Sequence, residues 1–200
     1  MTAITLYLAP GASSMAPHIA LVEAGRAFDI RALSFRAKEH RSPEYLAINR
    51  QGQVPTLVVD GTAITESLAI LFWIGRSFPA AGLLPADPVG EAQVLGWMSF
   101  LASSVQRAGR EGMEAGHAAY ALVERRLAGR EWTVGDRMSV ADIHLFRMFW
   151  RFQPLLDLGR ADYPGLWSLH DRMMQRDAVR RVIGVESAIG YELPGWPAKR

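Results

Sequence analysis

Residues Gln51-Gly52-Gln53-Val54-Pro55-Thr56-Leu57-Val58-Val59-Asp60-Gly61-Thr62-Ala63-Ile64-Thr65-Glu66-Ser67 read as turn, strand, tight turn, strand and helix start. Asp60-Gly61 lies between two short apolar runs. Both central positions of a two-residue hairpin loop favour φ > 0, which this pair tolerates. Pro55 cannot donate to a sheet ladder, so it belongs at the start of a strand or on its edge. Glu66-Ser67 precedes Leu68-Ala69-Ile70-Leu71-Phe72-Trp73, an apolar run that predicts a helix. Something small and polar fits between that proline and that helix start.

Upstream, Thr5-Leu6-Tyr7-Leu8 predicts an interior strand, broken by Pro10-Gly11-Ala12-Ser13-Ser14. A helix is expected from Met15 to Gly25, with Ser13 or Ser14 as its N-cap and Pro17 in its first turn. Phe28 to Leu33 predicts a second strand, and the intervening helix makes a right-handed parallel βαβ unit. Ser42-Pro43-Glu44-Tyr45-Leu46 predicts a short helix with a serine cap and proline at its first position.

Downstream, Phe78 to Gly90 carries three prolines and two glycines and reads as a linker. Strand signals then vanish. Helices are expected at 91–109, 116–127, 139–152, 163–176 and 180–189, followed by a tail over 190–200. Ser139 and Asp142, three apart before an apolar run, predict a capping box with a structural role. The order βαβαββα followed by helices divides the chain into an α/β domain over 1–78, a linker over 79–90 and an all-α helical domain over 91–200.

Composition narrows the function. The net charge of +2 is too small to imply a nucleic-acid partner, and no run is long and apolar enough for a membrane span. The first residues lack the basic region and cleavage site of a secretory signal, so a cytoplasmic location is the expectation. Cysteine is absent, which removes disulfides, thiolate metal sites and any protein-borne thiol nucleophile. The histidines lack metal-ligand spacing, so no metal site is expected.

Gly52-Gln53-Val54-Pro55 before the hairpin and Glu66-Ser67 after it resemble the glutathione transferase superfamily. Pro10-Gly11-Ala12-Ser13-Ser14 with Pro17-His18-Ile19-Ala20-Leu21, and Tyr45-Leu46-Ala47-Ile48-Asn49, look most like its bacterial beta class. Gly135-Asp136-Arg137-Met138-Ser139-Val140-Ala141-Asp142 is similar to the family's helix-start motif. The resemblance spans essentially the whole chain. It implies a thioredoxin-like N-terminal domain, a helical C-terminal domain, a homodimer, and glutathione as co-substrate.

The resemblance also implies a cis bond at Val54-Pro55, with the Val54 backbone pairing like a strand with the cysteinyl unit of glutathione. Glu66 and Ser67 would hold the γ-glutamyl end, Glu66 at its ammonium and Ser67 at its carboxylate beside a helix N-terminus. The glycyl carboxylate needs a cation. Arg36, Lys38, His40 and Arg41 lie in the matching loop, Lys38 being first choice, and Gln53 is a further contact.

The beta class carries a cysteine where Ser13 stands here. A serine forms no mixed disulfide with glutathione, but its hydroxyl can donate to a thiolate, and Ser14 is the neighbouring alternative. Either serine can equally be an N-cap alone. The class's histidine aligns with Gln106, which donates hydrogen bonds but carries no proton chemistry. Ser103, Gln106 and Arg107 are the candidates for a second-substrate pocket, with an ordinary polar helix face as their bland reading. The expected activity is conjugation of the glutathione thiolate to a small hydrophobic electrophile. The alternatives are a non-catalytic glutathione-binding or protein-interaction member, or a glutathione-dependent isomerase or peroxidase.

Overall fold

The computed structural model describes residues 2–193; Met1 and residues 194–200, the end of the expected tail, lie outside the described residues. The chain forms two compact units, one drawn from Met1–Ile74 and Ala178–Arg200, the other from Gly75–Asp177.

The first unit contains β1 (Ile4–Leu8), α1 (Met15–Glu23), β2 (Asp29–Ala32), α2 (Pro43–Ile48), β3 (Thr56–Val59), β4 (Thr62–Thr65) and most of α3 (Ser67–Ser77). The strands form a four-stranded sheet in the order β2-β1-β3-β4. β1 runs parallel to β2 and antiparallel to β3, which pairs antiparallel with β4. This is the thioredoxin-like βαβαββα arrangement. β1 alternates cleanly: Ile4, Leu6 and Leu8 are buried, whereas Thr5 and Tyr7 are half-buried. That period of two gives the strand one apolar face, and Met15, Ile19, Ile70 and Leu71 of the flanking helices are likewise fully buried.

Local chemistry sets the hairpin and the short helix as expected. Asp60 (φ 47) and Gly61 (φ 84) are both left-handed and join β3 to β4 in two residues. Ser42 caps α2 by accepting the Tyr45 N–H at 3.2 Å, with Pro43 at the first helical position. Pro55 directly precedes β3, and the Val54-Pro55 bond is cis.

The second unit is helical: α4 (Pro88–Phe100), α5 (Gln106–Glu111), α6 (Met113–Leu127), α7 (Val140–Leu156) and α8 (Pro164–Met174). α7 is apolar around most of its circumference and correspondingly buried on nearly every side, as suits a central helix. Two boundaries differ from expectation. The prolines before Gly90 are not all linker: Asp87 accepts the Gly90 N–H at 2.8 Å and Pro88 opens α4, an acid cap followed by proline at the first position. The expected single helix over 91–109 is interrupted by one π-helical stretch, Leu101–Val105.

The last helix, α9 (Asp177–Ile189), belongs with the first unit in all but its first residue. The sequence pattern groups it with the other late helices, since a helical period does not say which core its apolar stripe joins.

Candidate functional site

The loop between β1 and α1 carries the two candidate serines, and their surroundings differ. Ser14 is wholly buried; its Oγ accepts the Ala9 N–H and donates to the Ala9 carbonyl, both at 3.1 Å. It therefore staples the loop back onto the end of β1. It makes no side-chain cap of α1, although it occupies the cap position. Ser13 is half-buried, and its hydroxyl donates to the Val54 carbonyl at 3.0 Å. Ser13 is thus the partly accessible hydroxyl of the pair, set beside Val54 and just ahead of the positive end of α1.

The Gln53-Val54-Pro55 segment is held from behind by side chains of α2 and of Asn49, which ends that helix. Tyr45 Oη donates to the Gln53 carbonyl at 2.5 Å and lies 2.8 Å from Thr56 Oγ1. Asn49 Nδ2 donates to the same carbonyl at 2.9 Å and to Thr56 Oγ1 at 3.0 Å. Burial pushes the Tyr45 hydroxyl's pKa up, with its bonds to Thr56 and Asn49 opposing, so it stays a neutral donor. The motif Tyr45-Leu46-Ala47-Ile48-Asn49 thereby acquires a job: two residues one helical turn apart clamp one carbonyl. Gln53 itself is exposed, whereas Val54 is only 9% exposed and Pro55 is buried.

Glu66 is exposed and held at φ 68, a left-handed conformation that costs a non-glycine residue about 1–2 kcal/mol. Ser67 follows as the first residue of α3 and is half-buried. The strained turn puts a carboxylate immediately ahead of a helix N-terminus, where free N–H groups favour an anion.

The cations of the preceding loop have diverging roles. Arg41 Nη1 donates to the Gln51 carbonyl at 3.1 Å, and a Cβ on Gly52 (φ 60) would meet the His40 carbonyl at 2.7 Å. The His40 ring sits edge-on to Phe35, 4.9 Å between centroids. Lys38 is exposed, at φ 58, ahead of a short 3-10 turn over Glu39–Arg41. Arg41 and His40 therefore brace the loop, and Lys38 presents its side chain to solvent.

Ser103, Gln106 and Arg107 belong to the second unit. Ser103 lies in the π-helical stretch and is exposed, 3.4 Å from Ser104 Oγ; Gln106 is half-buried at the start of α5. Arg107 pairs with Glu111 one turn on, at 2.6 Å and largely in solvent. A π-turn is a frequent mark of a functional stretch of helix, and no composition signal announced it. Among the described residues, no group of three or more His, Cys, Asp or Glu side chains is placed to hold a metal ion.

The structure also brings in Glu186, which the sequence reading missed. It is wholly buried on α9. One carboxylate oxygen accepts the Gly11 N–H at 2.7 Å, and the other lies 2.9 Å from His18 Nδ1. A buried carboxylate is tolerable because both oxygens are engaged. Gly11 is left-handed (φ 72) and a Cβ there would come 3.0 Å from the Tyr191 ring, so the loop bearing Ser13 closes only around a glycine. A signal existed: Glu186 follows Val179 and Val182 at helical spacing, a lone acid on an apolar stripe.

The chain matches two family models, "Glutathione S-transferase, N-terminal domain" over residues 2–76 and "Glutathione S-transferase, C-terminal domain" over residues 94–177. It is 27% identical over 198 residues to glutathione S-transferase GstA of Escherichia coli O157:H7, covering 90% of this chain and 98% of that protein. A sphingomonad glutathione S-transferase solved in complex with glutathione superposes with a TM-score of 0.84 at 32% identity, covering 92% of this chain and 98% of its own. The bacterial beta class glutathione S-transferase of Sphingomonas chungbukensis gives 0.83 at 31% identity, covering 91% and 98%.

Proposed function

The chain belongs to the glutathione S-transferase family, and from that premise we propose that it joins the glutathione thiolate to a small hydrophobic electrophile. The observation that carries this reading is the half-buried Ser13 hydroxyl lying 3.0 Å from the Val54 carbonyl beside the cis Val54-Pro55 bond. When the cysteinyl N–H of glutathione takes the Val54 carbonyl, the Ser13 hydroxyl is released to donate to the sulfur. That bond and the positive end of α1 both stabilise the anion over the thiol. The thiol proton passes to solvent water, the thiolate attacks the electrophilic carbon, and the leaving group departs with its electron pair.

Ser14 serves as the staple of the loop. Glu66 pairs with the γ-glutamyl ammonium, and Ser67 with the adjacent carboxylate. Val54 and Pro55 line the cysteinyl unit, Gln53 contacts its edge, and Lys38 faces the glycyl carboxylate. In this division of labour residues 1–78 bind glutathione and the helices over 91–177 supply the second-substrate pocket, with Ser103, Gln106 and Arg107 as its polar contacts. A homodimer belongs to the same reading, resting on the family to which the chain belongs. No described helix is long and apolar enough to cross a membrane.

The test is an ultraviolet titration of the thiolate of bound glutathione, beside calorimetry and turnover of a chloronitroarene. Ser13→Ala is expected to keep glutathione affinity, raise the bound thiol's pKa by about one unit, and lower kcat/KM about tenfold at neutral pH. An unchanged thiol titration would remove Ser13 from the mechanism. Failure of the unaltered protein to bind glutathione would remove the reading itself.

A further inference from the structure

The segment that follows α9 lies against the same loops. Glu192 presents its carboxylate to the turn after β2: Ser34 Oγ donates to its two oxygens at 3.0 and 3.1 Å, and the Arg36 N–H donates at 2.9 Å. The Phe35 N–H also faces it, so consecutive backbone donors and a hydroxyl converge on one anion. Ser34 Oγ accepts the Ala37 N–H at 2.9 Å and Glu39 Oε2 accepts the Ser34 N–H at 2.7 Å, which fixes the turn in its donor-inward form. The Arg36 backbone bond is the main cause holding the Glu192 carboxyl below its ordinary range, so it sits there ionised.

The neighbouring residues of the segment continue onto the candidate site. Leu193 packs against the apolar cluster of Ala9, Ala12, Tyr45 and Val54. Ala12 precedes Ser13, and Val54 supplies the carbonyl that the Ser13 hydroxyl holds. Tyr191 covers Gly11, its ring at 3.0 Å from where a Cβ would stand. A carboxylate followed by an apolar residue thus lies on the anion-receiving turn and beside the Ser13–Val54 contact at once.

We infer that Tyr191-Glu192-Leu193 is a built-in competitor of glutathione: Glu192 occupies donors of the turn over 34–36 that, together with Lys38, would receive the glycyl carboxylate of the tripeptide, and Leu193 covers the floor beside Ser13. The inference rests on the glutathione reading above and identifies Glu192 and Leu193 as residues that set glutathione affinity. Glutathione binds when the segment lifts, so its apparent affinity is its intrinsic affinity reduced by the fraction of molecules with the segment away. A free carboxylate ligand and the segment exclude one another, because the turn has one set of donors.

The test compares the full chain with Glu192→Gln, Leu193→Ala and the double variant, reading the glutathione Kd by calorimetry and the KM and kcat of conjugation. Both side chains are partly exposed, so the variants are expected to fold. Each single change should tighten glutathione binding about threefold and the double about tenfold, the gain appearing in Kd and KM rather than in kcat. Binding that is unchanged or weaker in the double variant would overturn the inference while leaving the glutathione reading intact. Absence of glutathione binding in every form would overturn both.

Discussion

The starts of α1 and α7 are built in opposite ways. At α7, Ser139 and Asp142 close a full capping box: Asp142 Oδ2 accepts the Ser139 N–H at 2.8 Å and its hydroxyl at 2.9 Å, and Ser139 Oγ accepts the Ala141 N–H at 3.2 Å. The other Asp142 oxygen accepts the Thr133 N–H at 2.7 Å, and the whole group is buried. At α1, the cap residue Ser14 turns its hydroxyl back to Ala9 and leaves the helix end without a side-chain cap. The next hydroxyl, on Ser13, remains half-buried on Val54. The α7 start is closed on itself, whereas the Ser13 hydroxyl keeps one partly accessible bond, which the proposed role requires an incoming group to exchange. An acid or a serine at a helix start is therefore read by what its own fold already gives it.

The largest effect expected from breaking this contrast is at α7. Asp142→Ala strips partners from three buried donors and is expected to destabilise the protein by about 3 kcal/mol, read from denaturant unfolding. A loss below about 1 kcal/mol would mean that water replaces the carboxylate and that the closure is incomplete.

A second effect sharpens the description of α7 as a sealed element. His144 is fully buried, and burial, then the Arg147 charge, bring its pKa down to about 3 from an ordinary 6.5. A depressed folded-state pKa means that the unfolded chain takes up the proton first. The stability is present above about 6.5 and drains away as pH falls toward about 3. Between about pH 7 and pH 5 this single group contributes a loss of about 2 kcal/mol. His144→Leu should flatten that part of the stability–pH curve; an identical slope in the variant would show that the ring is protonated in the folded protein.

The smallest effect lies at Glu66, to which the proposal gives a glutathione contact. Glu66→Gly removes a left-handed non-glycine residue, and so is expected to stabilise the fold by about 1 kcal/mol while weakening glutathione binding about tenfold. Thermal melting and calorimetry on the same samples check the pair. A variant both less stable and unchanged in affinity would place Glu66 with the closed groups of α7 instead.

Much of this is legible in the sequence itself. Asp60-Gly61, Ser42-Pro43 and Ser139 with Asp142 act within four residues, through turn sterics and capping, and each appears where its local chemistry puts it. Asp87-Pro88 obeys the same rule, yet in sequence the neighbouring prolines mask the cap-and-first-turn pair. The π-helical stretch at Leu101–Val105 has no such signature. The two serines at 13 and 14 have the same side chain and adjacent positions, so sequence could not separate the staple from the exchangeable hydroxyl.

By itself the sequence determined the βαβαββα order, the hairpin that presents Val54 and Pro55, and the resemblance that names the ligand. Tertiary structure alone decided that α9 joins the first unit and delivers Glu186 to a loop 175 residues away, and that Glu192 reaches Ser34 across 158 residues. The reason is physical. Turns and caps are fixed by sterics and hydrogen bonds between near neighbours in the chain. A buried carboxylate finds its donors only once two distant segments share a core, and no period in the sequence encodes that meeting.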